Sequence, residues 1–429
     1  MIKLMFRVAL LLSLSSLSLA LSPRPAPAQS QPVLIQGVVI HVGNGEVISN
    51  GAVTFADGRI TGIYEANAIP ELPDHRVLNF DGEHLYPGFI LPNTRLGLAE
   101  MSSVSGSRDD VERGDLNPSV RALVAYNTDS EVQPTYRFNG VLTAQVTPGG
   151  SLLAGTSSIV QVDAWNWEDA ALVADDGMHL YWPRQFKSKA DYLRRTIEIE
   201  ENEQYATQVQ SIVDLFADAA VDVDSENLKL DAVKPVLAGR TTLFVHAETA
   251  KEIGDGLKFA DRFALNVVLV GADQALKVKD MILERKVPVI VQFVHGRPDQ
   301  SGAAIDENFT RPAQFVEAGF KVGLAARVRM DPGSGRNLPF MAGTAAAFGL
   351  TPEQALTMIT LTNAEILGIA NELGSIDVGK RATLFVSKGD ALDMRTNQVE
   401  AAFIDGRRVE IRGTQQELYE RFHEKYSAE

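Results

Sequence analysis

Residues 87–98, PGFILPNTRLGL, end a β-rich first part of this chain and open a middle of different character. Phe89-Ile90-Leu91 is an apolar run of strand type. Side chains alternate across a strand, so Asn93 and Arg95, two residues apart, share one face. Arginine stays protonated and is never a metal ligand. Burying it unpaired is costly, so Arg95 needs a carboxylate partner.

Working outward, the pattern from Val33 to His84 is strand-like, with β-branched runs in VLIQGVVIHV and GAVTFADGRITGIYEA. Asp57-Gly58 and Asp81-Gly82 are hairpin-turn signals. A matching piece lies at the far end, GSIDVGKRATLFVSKGD and VEAAFIDGRRVEI, with a third such turn at Asp405-Gly406. One small β domain built from both chain ends is expected, covering residues 29–88 and 374–413.

Residues 89–373 alternate apolar strands with helix-period segments. GVLTAQVTP, SIVQVDA, TTLFVHA, NVVLVG, VPVIVQFVH and KVGLAARV read as strands. The stretch ADYLRRTIEIEENEQYATQVQSIVDLFADAA reads as helix, as do AKEIGDGLKFADRFA and ADQALKVKDMILERK. This alternation predicts a parallel α/β sheet covered on both faces, of a length that suits an eight-fold barrel of about 250 residues plus insertions. No glycine-rich dinucleotide fingerprint follows the first strand of the middle region. Residues 414–429 read as a polar, exposed helix.

The chain opens with basic Lys3 and Arg7, an apolar run from Val8 to Leu21 and a small-x-small site at Ala26-Pro27-Ala28. This is the pattern of a secretory signal peptide, residues 1–28, cut after Ala28, and it predicts a periplasmic or secreted protein. The run is too short and serine-rich to span a membrane comfortably. There is no cysteine, hence no disulfide and no thiolate metal site. The formal net charge is −15, and removal of Lys3, Arg7 and Arg24 makes it more negative. Nucleic acid and anionic membrane are disfavoured as partners.

Several ordered segments resemble the amidohydrolase superfamily, in particular its imidazolonepropionase-like members. They are DGRITGI, LYPGFI with NTRLGL, NGVLTAQVTPGG, LFVHAE, RNLPFMAGTAAAFGLTPEQALTMITLTNAEILGI and LGSIDVGKRATLFV. The resemblance implies a TIM-like (β/α)8 barrel with a β-sandwich made by both chain ends. It also implies hydrolysis of non-peptide C–N bonds, often in cyclic amides, by one or two divalent metals that acidify water and polarise a carbonyl.

Against that pattern the metal ligands are depleted. The family segment has an aspartate and two histidines where Leu91, Asn93 and Arg95 stand. A further histidine position falls at Val270-Gly271, and an aspartate position falls in Ala325-Ala326-Arg327. His246 alone matches a ligand position. A relocated site would draw on His246, Glu248 and His295, with Asp331 or Asp163. Glu248 is the first expected partner of Arg95, which would then hold an anionic ligand group by a bidentate contact. Asn93, Glu248 and His295 complete the expected ligand-binding set.

His41, His75 and His84 fall in the β domain, His423 in the terminal helix, and His179 in an aromatic-rich loop or helix. Trp165, Trp167 and Trp182 are expected to pack the barrel wall. The leading expectation is a protein of weak or no hydrolase activity, without a metal cofactor, that binds a small molecule or serves an active relative as a partner subunit. The alternative is an active hydrolase with zinc in a relocated site, or with no metal and His246 as general base.

Overall fold

A computed structural model describes residues 25–427 apart from 192–195, 222–225, 299–301 and 327–331. The residues before Pro25, on which most of the expected signal peptide falls, and Arg327 and Asp331 lie outside the described residues. β1 (Val33–His41), β2 (Val47–Ala56), β3 (Arg59–Glu65), β4 (Arg76–Asn79) and β5 (His84–Pro87) come from the front of the chain. β6 (Phe89–Thr94), β7 (Val141–Val146), β8 (Leu153–Gln161) and β9 (Ala171–Tyr181) follow. A separate hairpin, β10 (Phe186–Asp191) and β11 (Thr196–Glu201), precedes β12 (Thr242–Ala247), β13 (Val267–Gly271), β14 (Val289–Val291) and β15 (Val322–Leu324). β16 (Leu384–Ser387), β17 (Val399–Ile404) and β18 (Arg407–Val409) return to the first sheet.

Both chain ends do build one sheet, in the order β18-β17-β16-β5-β1-β2-β3, with β4 pairing β1. Asp57 (φ 50°) with Gly58 (φ 77°) closes β2–β3, and Asp405 (φ 50°) with Gly406 (φ 71°) closes β17–β18. Two consecutive left-handed residues suit the twist of a tight hairpin, which is why Asp-Gly serves there. Val38, Phe55, Leu85, Leu384 and Phe403 form an apolar cluster of this sheet's own.

The second eight-stranded sheet runs β15-β14-β13-β12-β9-β8-β7-β6, an almost closed barrel. It departs from the expected all-parallel order. β8, which contains SIVQ, runs antiparallel to both β7 and β9. Short connections on either side allow this, since adjacent antiparallel strands need no crossover helix. β8 also reaches beyond the end of β7, and there residues 111–121 take over as its edge partner: Leu116 and Arg121 bridge to Leu153 and Thr156.

Three further expectations fail, the last in part. His179 lies in strand β9, not in a loop or helix. The long helix expected over residues 190–220 is instead the β10–β11 hairpin followed by a helix at Tyr205–Val221. Thr196-Ile197-Glu198-Ile199-Glu200 alternates with period two, and that strand signal prevails over the charged, helix-like composition. Trp182 is buried against Phe259, but Trp165 is 65% exposed and packs no wall. The terminal helix Thr414–Ser427 has no buried residue, as expected.

β6 and β15, the two ends of the barrel sheet, do not pair with each other. Asn363, fully buried in the helix Leu361–Ile366, spans the gap. Its Nδ2 donates to Ile90 O at 2.8 Å and to Leu324 O at 2.9 Å. One carboxamide thus satisfies a carbonyl on each edge strand. Asn363→Leu removes both donors and leaves two buried carbonyls unpaired, a loss of about 2–4 kcal/mol of unfolding free energy. Urea denaturation of the variant measures it, and a loss under about 0.5 kcal/mol would show that closure does not depend on this side chain.

Candidate active site in the barrel mouth

The C-terminal ends of β6, β7, β9 and β12 to β15 open on one mouth, where side chains alternate inward. A cavity of about 420 Å³ lies there, lined by Arg95, Tyr181, Trp182, His246, Glu248 and Gln292 among others.

Arg95 stands just past β6. Its Nη1 pairs with Asp110 Oδ2, and its Nη2 donates to Tyr181 Oη at 3.3 Å. The two charged side chains are 11% and 7% exposed. Arg108 Nε, 3.0 Å from Asp110 Oδ1, also holds the carboxylate. The guanidinium lies flat over Gly149, where any Cβ would collide with it. The salt bridge expected for Arg95 therefore exists, but its partner is Asp110. Glu248, the expected partner, pairs instead with Arg184 Nη2 at 2.6 Å. Asp110 lies in the polar loop SGSRDDVERGD, which carries no spacing signal pointing back to β6.

His246 projects inward from β12. Its Nε2 faces His179 Nδ1 at 2.9 Å, and Tyr181 stacks on its ring with centroids 4.1 Å apart. Parallel register explains the meeting, because β12 and β9 pair Phe244 with His179 and His246 with Tyr181. His179 stacks on Phe244 at 4.8 Å, and its Nε2 is buried without a partner. Burial, and then the Arg95 charge, push His246 down to about 3. Burial, His246 and Arg95 hold His179 well below the usual histidine range. Both rings are neutral at ordinary pH, so the 2.9 Å contact is one N–H donating to one lone pair.

Asn93 adopts a left-handed backbone (φ 54°), is fully buried, and both its amide atoms lack partners. Its N–H donates to Gln145 Oε1 at 3.1 Å. Gln145 Nε2 in turn donates to Asp176 at 2.7 Å, and Ser157 Oγ donates to the same carboxylate at 2.8 Å. Burial pushes Asp176 up to about 6 despite these bonds.

The other proposed ligands do not converge. His295 is exposed, with its Nε2 2.7 Å from Thr344 Oγ1, and it does not line the cavity. Asp163 follows β8, whose reversed direction carries it away from the mouth. There it binds Arg407 Nη1 at 2.9 Å and accepts from the Ala26 N–H at 2.9 Å. Sequence reasoning missed Asp110, His179, Tyr181 and Gln145. Only the pairing of β9 with β12 would have brought His179 and Tyr181 to the site.

A divalent metal does not fit this arrangement. Among the described residues no three His, Asp or Glu side chains come together as a ligand set. His246 Nε2 is committed to His179, Asn93 offers a single carboxamide oxygen, and the fixed charge of Arg95 acts on both histidines. Zinc asks for three or four convergent donors.

The model of the amidohydrolase family matches residues 169–409, more than half the chain. The chain is 24% identical over 368 residues to an imidazolonepropionase of Symbiobacterium thermophilum, covering 79% of this chain and 84% of that one. It is 23% identical over 337 residues to a 5'-deoxyadenosine deaminase of Methanobrevibacter smithii, covering 72% and 74%. The crystal structure of an amidohydrolase from Thermotoga maritima MSB8 matches 89% of this chain and 100% of that one, with a TM-score of 0.77 at 22% identity.

The histidine pair sets a pH dependence. Both folded-state values lie below the ordinary 6.5, so the unfolded chain binds more protons on the acid side. Their contribution to stability is present above pH 6.5 and is lost as pH falls toward about 3. Asp176, raised from 3.8 to about 6, acts in the opposite sense. A His179→Phe, His246→Gln double variant should show a flatter acid limb of unfolding free energy than the parent. The difference approaches about 1.4 kcal/mol per pH unit for each histidine. Parallel limbs would show that the pair is not held neutral.

Proposed function

We propose that this chain, which belongs to the amidohydrolase family, uses its barrel mouth to bind a small molecule without a resident divalent metal and is at most a weak hydrolase of non-peptide C–N bonds. The observation that carries this reading is the Arg95 guanidinium, paired with Asp110 where the family resemblance sets a metal-binding histidine. The His246–His179 hydrogen bond supports it, because it engages Nε2 of His246, the one residue that matches a ligand position of the family. No metal cofactor is part of the proposal.

A metal-free hydrolase with His246 as base is the weaker reading. A ring held down to about 3 is a poor proton acceptor, since efficient general bases have pKa values near the working pH. Of the proposed ligand contacts, Arg95, Asn93 and Glu248 remain near the mouth. The engagement of both Arg95 Nη atoms argues against a bidentate clamp through them.

Export is part of the proposal, supported by the apolar N-terminal pattern. A cut after Ala28 would strip Ala26 from Asp163 and from Arg407 Nη1, which donates to Ala26 O at 3.0 Å. Gln29, which accepts from Gly58 N–H and donates to Phe55 O, would become the first residue. A β-sandwich form of the terminal sheet is supported by its separate apolar cluster. A partner subunit is supported by the outward Leu418, Phe422 and Tyr426 of the terminal helix. The negative charge argues against nucleic acid. Among the described residues no helix is long and apolar enough to cross a membrane.

Incubating the exported protein with excess zinc, desalting it and measuring metal content tests the reading. The expected result is far less than one equivalent, unchanged in His246→Ala. Stoichiometric zinc that disappears in His246→Ala would overturn it.

A further inference from the structure

Resting on the reading of the mouth as a small-molecule site, the leftover hydrogen-bonding groups identify what it takes. Arg95 Nε and Gln292 Nε2 both belong to residues lining the same cavity, and both are buried donors without an acceptor. An unmade bond from a buried donor costs the full desolvation of that group, and from a charged donor more.

The carboxylates around the cavity and the Tyr181 hydroxyl are engaged elsewhere. Glu248 accepts from Arg184. Glu252 accepts from the N–H groups of Gln185, Glu248 and Thr249. Asp110 is shared between Arg95 and Arg108. Tyr181 Oη receives Arg95 Nη2 and donates to Pro148 O at 3.3 Å. The lining thus has two donors to spare, one of them charged, and its carboxylates are neutralised or engaged. After burial, the Arg95 charge is among the causes that hold His246 and His179 low, so a cationic group acts on this part of the cavity.

We infer that the mouth binds a small monocarboxylate with its carboxylate group directed down to Arg95 Nε and Gln292 Nε2, so that the anionic end of the ligand lies in the position a metal-dependent hydrolase gives to its ion. A carboxylate supplies two acceptor oxygens for the two donors, and charge-assisted bonds of this kind are the stronger class. The volume of about 420 Å³ suits a ligand of modest size. Tyr181, stacked on His246, and Trp182 give the walls an aromatic, apolar character above the polar floor.

The test is calorimetric titration of the full exported chain with propionate and benzoate, against propionamide and benzamide as neutral analogues of the same shape. The deciding variant is Gln292→Leu, because changing Arg95 would leave Asp110 buried with one partner fewer and endanger the fold. The expected result is carboxylate binding at least about tenfold tighter than amide binding, reduced about tenfold by Gln292→Leu with a melting temperature no lower than the parent's. Amides binding as tightly as the acids, or Gln292→Leu without effect on the acids, would overturn the carboxylate assignment while leaving the binding site. A cavity that takes none of the four compounds would overturn the carboxylate assignment together with the small-molecule reading on which it rests.

Discussion

The Arg95–Asp110 ion pair is the constraint around which the mouth of this barrel is arranged. Both side chains are nearly enclosed, and neither tolerates the loss of the other, since breaking a buried pair costs about 3–5 kcal/mol. The pair ties the loop after β6 to the rim of β7, where Gly149 leaves room for the guanidinium and its N–H bonds to Asp110 O. It also fixes a positive charge beside His246 and His179. Two neutral imidazoles are compatible with that charge.

The rest of the barrel accommodates this arrangement. β8 runs against its neighbours and projects above the rim, so residues 111–121 are drawn along it, and this segment brings Asp110 to Arg95. Asn363 spans the break between β6 and β15, holding the strand that carries Asn93 and Arg95 to the far end of the sheet. Asn93 sits at the junction with a left-handed backbone and unpartnered amide atoms. Strain and unsatisfied polarity of this kind concentrate at functional sites. The mouth has the features of a binding site: a cavity, buried polar groups without partners and a left-handed residue beside it.

Much of this was legible in the sequence. The Asp-Gly turns located the sheet made by both chain ends, and apolar runs located β7, β12 and β13 within a residue or two. The departure from the family pattern at Asn93 and Arg95 was legible in the residues themselves, but their placement was not: a left-handed backbone at Asn93 and a shift of register between Leu91 and Thr94 break the alternation expected to put both on one face. The need of Arg95 for a carboxylate followed from the cost of a buried charge. Which carboxylate did not follow. Glu248, a carboxylate at the end of a barrel strand, is the first candidate by sequence, while the actual partner comes from a polar loop whose path is set by the antiparallel β8. His179 was hidden for the same reason. β9 follows a Trp- and acid-rich stretch without clean alternation, so its pairing with β12 had to be seen. The β10–β11 hairpin was misread because charged residues dominate its composition and mask the period of two.

The most direct measurement is a crystal structure of residues 29–429 grown with millimolar zinc, using anomalous scattering at the zinc edge. The expected result is Arg95 on Asp110, His246 Nε2 on His179 Nδ1, and no anomalous peak in the barrel mouth. A zinc atom bonded to His246, with His179 or Arg95 swung aside to admit it, would contradict the account.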